Sequence, residues 1–170
     1  MNRLSQILLG SLALSFATVA AKPSTPSKYI GFKGQKLPKE LIDYGGYLLQ
    51  ADDKNKLDYG VAHVSVRKSK KHMLWLQRFS RDGEAGTPTA QVVAAIELPT
   101  MHRTDELVLG ECMIGGKIDV EISAIVVPPK TEVEIYTKIT HAWRANRQTN
   151  IIEKIQTTNI TCINEGYGAD

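Results

Sequence analysis

The sequence predicts an all-β fold, an antiparallel meander of about seven to eight strands closed as a sandwich or barrel, with a short N-terminal helical turn. Three observations carry this. Alternating apolar and polar runs recur along the chain, short polar or Gly/Pro-rich segments separate them, and residues 107–114 and 117–127 meet at Gly115-Gly116. A two-residue hairpin turn of the right hand needs positive φ at both central positions, which glycine adopts without steric cost.

The chain of 170 residues opens on a segment with the features of a secretory signal. Arg3 supplies the positive charge, Ile7 to Ala17 the apolar stretch, and Thr18-Val19-Ala20-Ala21 the small residues for cleavage after Ala21. The stretch is short for a membrane span, carries Gly10, Ser11 and Ser15, and leads into Lys22-Pro23-Ser24-Thr25-Pro26. The expected organisation is a signal over 1–21, a flexible leader over 22–28 and a single β-rich domain over 29–170. No later stretch approaches the roughly 20 apolar residues of a membrane helix. A mature chain without a transmembrane segment, secreted or periplasmic, is expected.

Within the domain, Pro38 to Tyr44 reads as a helical turn, because proline suits a first helical position and Gly45-Gly46 would end it. Residues 47–50 read as a short strand and 51–56 as a polar loop. Val61, Val64 and Val66 mark a strand through Arg67; after the turn Lys68-Ser69-Lys70-Lys71 comes 72–79, rich in strand formers. Residues 90–98 read as a strand, being short and bracketed by Pro88 and Pro99.

The Gly-Gly hairpin can be put in register by hand. Met113 faces Ile118, Glu111 faces Val120 and Leu109 faces Ile122, so Leu107, Leu109, Met113, Ile118, Val120, Ile122 and Ala124 share one buried face. Cys112, Val108, Asp119, Glu121 and Ser123 fall on the other. A second long hairpin turns at 146–149, with Ala145 opposite Asn150 and Val133 opposite Cys162.

Cys112 and Cys162 are the only cysteines, and in an oxidising compartment an even count favours a structural disulfide. Closing that loop stabilises by roughly 3–4 kcal/mol on the chain-entropy account. Removing Arg3 with the signal takes the formal charge from +3 to +2, so nucleic acid is not an expected partner. The local exception is Arg67, Lys68, Lys70, Lys71 and His72, a basic turn suited to an anionic envelope component or an acidic protein face. Lysines at such a tip also keep a turn soluble and guard edge strands.

No catalytic residue, metal site or cofactor is assigned. Neither a Gly-x-Ser-x-Gly elbow nor His-Glu-x-x-His occurs, and no phosphate-binding glycine motif is present. His63, His72, His102 and His141 are far apart in sequence and lack zinc-ligand spacing. His141, in line with Ile139 and Trp143, reads as a hydrogen-bonded core histidine. Asp52, Asp53, Asn55 and Asp58 do not follow the order of a calcium loop. Asn159-Ile160-Thr161 matches the N-glycosylation pattern but falls inside an expected strand. The expected function is a non-catalytic binding protein of the envelope or extracellular space. The alternatives are an inhibitor of a secreted hydrolase such as a cell-wall-degrading enzyme, working through the loop at 81–88 or 99–106, and a small apolar-ligand carrier.

Overall fold

A computed structural model of the chain describes residues 25–34, 36–49, 59–80 and 88–168. The expected signal, residues 22–24 of the leader, the Asp52 to Asp58 loop and residues 81–87 lie outside them. The fold is all-β, with three antiparallel sheets and one short 3-10 turn. No helix among the described residues is long and apolar enough to cross a membrane.

The first sheet is a meander of β1 (Lys33–Gly34), β2 (Leu41–Leu49), β3 (Tyr59–Val66), β4 (His72–Ser80) and β5 (Thr89–Glu97), in the order β1-β5-β4-β3-β2. Strands β3, β4 and β5 stand where alternation put them. The helical turn expected at 38–44 is a correction: the chain turns at Lys39-Glu40 and enters β2 at Leu41. Gly45-Gly46, read as a helix stop, belongs to a β-bulge. Asp43 pairs with Val64 and Gly46 with Ala62, so β2 carries one extra residue, and Gly45 sits at φ +100°. The extra residue inverts the side-chain alternation, so Leu41 packs on one face of the sheet and Leu49 on the other. The helical turn lies instead at Thr25–Tyr29, in the stretch expected to be leader. It sets Tyr29 against Trp75, ring centroids 5.3 Å apart, in a core with Leu41, Val64, Met73 and Val92.

The second half is built differently. Its strands are β6 (Glu106–Leu109), β7 (Cys112–Ile114), β8 (Lys117–Ile118), β9 (Ile122–Val126), β10 (Ile135–Tyr136), β11 (Ile139–Asn146), β12 (Ile151–Ile155) and β13 (Ile160–Ile163). They form a central sheet, β12-β11-β9-β6, and an outer one, β10-β13-β7-β8. Each long run expected as one strand is broken, with one part in each sheet.

The hairpin tip keeps the expected register, with Met113 opposite Ile118 and Gly115 and Gly116 both at positive φ. Below the tip the register is a correction, because Leu109 pairs with Ser123 and not with Ile122. The slip of one residue falls at the crossing between sheets, where two residues, Gly110 (φ +73°) and Glu111, stand opposite three, Val120 to Ile122. Such a slip exchanges the faces of a strand. Leu107 and Leu109 therefore pack with Ile125 against Val61, Leu74, Leu76 and Leu98 of the first sheet. Val108, Ile122, Ala124 and Val126 join Cys112 and Tyr136 in the core beneath the outer sheet. The expected single buried face becomes two: the central sheet is covered on both sides, and every residue of β9 is buried. Side chains fill both interlayer spaces, so the arrangement is one of packed sheets.

In the second hairpin Asn146 pairs with Ile151, which puts the turn at 147–150, and Cys162 pairs with Tyr136 instead of Val133. Cys162 is also directly opposite Cys112, and the two form a disulfide with Cα atoms 4.0 Å apart, both fully buried. Cys112 thus lies on a core-facing side, contrary to the hairpin reading. Asn159 is exposed in a turn at φ +62°, outside the strand expected to contain it.

Candidate functional site

The basic turn is largely occupied by structural work. The Arg67 guanidinium donates to the carbonyls of Leu41 (3.1 Å) and Lys39 (3.4 Å), tying the turn to the entry of β2. Lys71 pairs with Glu97, with Nζ 2.8 and 3.1 Å from its two oxygens. His72 turns along the sheet to His63. Lys68 and Lys70 are exposed beside them, with Lys70 at φ +53°. The structure thus keeps the five residues together at one turn, with Arg67 and Lys71 also holding partners of the sheet.

A cleft of about 350 Å³ opens where the three sheets meet. Its walls are the bulged part of β2 (Tyr44 to Tyr47), strand β6, Tyr136 of β10, Ile163 at the end of β13 and residues 164–166 after it. It forms here because β2 and β6 are edge strands of their sheets, and the chain passes from the central to the outer sheet at Gly110-Glu111. The Tyr47 ring lies over Gly110, and a Cβ at that glycine would overlap it. Position 110 thus needs glycine twice, for its positive φ and for this approach.

The polar groups of the cleft are acidic and phenolic. Tyr136 Oη donates to Glu106 Oε2 at 3.0 Å, and burial together with this carboxylate raises the Tyr136 pKa. Tyr47 donates to Glu111; that bond, with burial and the further charge of Glu165, pushes Tyr47 up to about 12. Asn164 lines the cleft beside Glu165, its amide donating to the Val133 carbonyl at 2.8 Å. No lysine or arginine is among the described lining residues. Tyr44, half exposed, stands at the rim.

Behind Tyr44 the structure joins two histidines of neighbouring strands, nine positions apart in sequence. His63 Nε2 and His72 Nδ1 are 2.8 Å apart; Tyr44 stacks on His63 with centroids at 4.7 Å and meets His72 at a tilt, with centroids at 5.3 Å. Burial first, and then the His72 neighbour, lower His63 to about 4 against an opposing pull from Asp43. The register explains the meeting. His63 pairs with Leu74 and His72 with Ser65, so the imidazoles are diagonal neighbours on one face. Extending the Lys68–Lys71 turn into a register would have found the pair; spacing along the chain could not. No third metal-ligating side chain joins them among the described residues. His102 is exposed in a connection, and His141 stacks on Trp143 at 5.9 Å, its Nδ1 taking no hydrogen bond. Comparison with known proteins finds no matching family model, no matching curated protein and no matching solved structure.

Proposed function

We propose that the chain is an exported, non-catalytic binding domain whose ligand site is the cleft at the three-sheet junction, and that this cleft takes a cationic group presented by a partner protein. The observation that carries the reading is the lining itself, with Tyr44, Tyr47 and Tyr136 around Glu106 and Glu165 and no cation among the described lining residues. A lysine or arginine side chain can lay its stem and charge against tyrosine faces while its donors reach carboxylates. Tyr47, held protonated to about pH 12, and carboxylates already receiving hydrogen bonds suit recognition better than proton transfer. The apolar segment after Arg3 and the Cys112–Cys162 disulfide support export to an oxidising compartment.

The test is a nuclear magnetic resonance titration with acetyl-Gly-Arg-Gly-amide and its glutamate counterpart. Shifts confined to Tyr44, Tyr136, Asn164 and their neighbours, seen with arginine alone, are expected. Equal shifts with both peptides, or none in the cleft, contradict the proposal. Charge reversal at Lys68 and Lys70 is the control: binding through the basic turn would be lost there, and cleft binding retained.

A further inference from the structure

We infer that the His63–His72 pair is an acid-sensitive latch that holds Tyr44 at the rim of the cleft and lets it go when both imidazoles carry a charge. As a control of ligand binding, the latch rests on the cleft reading above; as a movement of Tyr44, it stands by itself. The geometry carries it. A hydrogen bond between two imidazole nitrogens at 2.8 Å needs a lone pair on one of them. With both rings protonated, both facing nitrogens bear hydrogens, the bond is lost, and two like charges abut in a part-buried site.

The surroundings do not relieve this. On β2 the facing groups are the Asp43 carboxylate, which favours one imidazolium and already accepts the Gly45 amide at 2.9 Å, and Tyr44 itself. The Lys71–Glu97 ion pair at that end of β4 and β5 is satisfied internally, and Glu97, paired with Met73, belongs to the opposite face. Across the cleft, Glu106 is held by Tyr136. A tyrosine face attracts one imidazolium, but two cannot share it at contact with each other. The path of relief is outward, because Tyr44 is half exposed and Gly45 beside it sits at φ +100° with open space where a Cβ would stand. Burial delays the second protonation, so the latch opens on the acid side, towards the value of about 4 that His63 holds.

The test follows ring-to-ring nuclear Overhauser contacts in protein labelled at Tyr and His, from about pH 7.5 down to about pH 4, the value His63 holds. Contacts from Tyr44 to His63 and His72 should vanish on acidification while the amide spectrum stays folded. Acetyl-Gly-Arg-Gly-amide should then bind roughly tenfold more weakly than at neutral pH. In His63→Gln and, separately, His72→Gln, the Tyr44 signals should lose that pH dependence. Persistence of the wild-type contacts in folded protein at the acid end overturns the latch, and so does a pH course in both variants that is unchanged from wild type. Loss of the contacts without peptide binding at any pH supports the latch and overturns the cleft reading, so the two can fail separately.

Discussion

The two halves of the molecule use the same strand chemistry to different ends. In the first, β2 to β5 each stay in one sheet, and the bulges that interrupt them, at Tyr44-Gly45 and at Val93, only re-aim side chains. In the second, every long run changes sheets part-way, and the connection at 119–121 is pinned to β11 by Arg144–Asp119 at 2.6 Å and to the turn after it by Arg147–Glu121 at 2.8 Å. A strand that stays needs only a turn to set its register. A strand that switches needs a flexible residue at the crossing and partners to hold both parts. The cleft lies where these two styles meet, with Tyr47 from the first half seated on Gly110 of the second.

This contrast can be broken most forcefully at the disulfide. Converting Cys112 and Cys162 together to alanine should lower stability by roughly 3–4 kcal/mol, because the closed loop spans 50 positions and the outer sheet is built from short strands. Denaturant unfolding measures it, and a loss below about 1 kcal/mol would mean that strand pairing alone holds the outer sheet. The next effect compares two glycines. Gly110→Ala meets both a left-handed backbone and the Tyr47 ring, so a cost of roughly 2–4 kcal/mol is expected. Gly45→Ala has the positive φ but nothing within contact of its Cβ, so it should cost only about 1–2 kcal/mol. Equal costs would show that the sheet crossing places no special demand on position 110.

A smaller effect sharpens the first half. His63 has its folded value lowered to about 4, so its contribution to stability is present above the unfolded value of about 6.5 and is lost as pH falls towards 4. Since solvent reaches the ring, on the order of 1 kcal/mol is at stake. Melting temperature should fall across this window, and His63→Gln should flatten the decline. A slope unchanged in the variant would place the acid-sensitive groups elsewhere.

How far the sequence could be read follows the same division. Strands β3 to β5 and the tip of the Gly-Gly hairpin were legible because alternation and a turn residue are local signals. The crossing at Gly110-Glu111 was not: a one-residue slip leaves the pattern intact, and only the layer packed on each face reveals it. Residues 38–44 misled because proline and a Gly-Gly pair punctuate helices and bulged strands alike. The disulfide was legible from count and compartment, though not its register against Tyr136. Of the site, the basic turn was visible as a charge run, while its use of Arg67 and Lys71 depends on Leu41 and Glu97, distant in sequence. The cleft gathers Tyr44, Glu106, Tyr136 and Glu165 from four separate segments, and no spacing rule connects them.

The most direct measurement is a charge swap read by calorimetric titration. Wild-type protein should bind acetyl-Gly-Arg-Gly-amide in preference to its glutamate counterpart, and Glu106→Lys, shown to remain folded, should reverse that order. A preference unchanged by the substitution would contradict a cation-recognising cleft at the sheet junction.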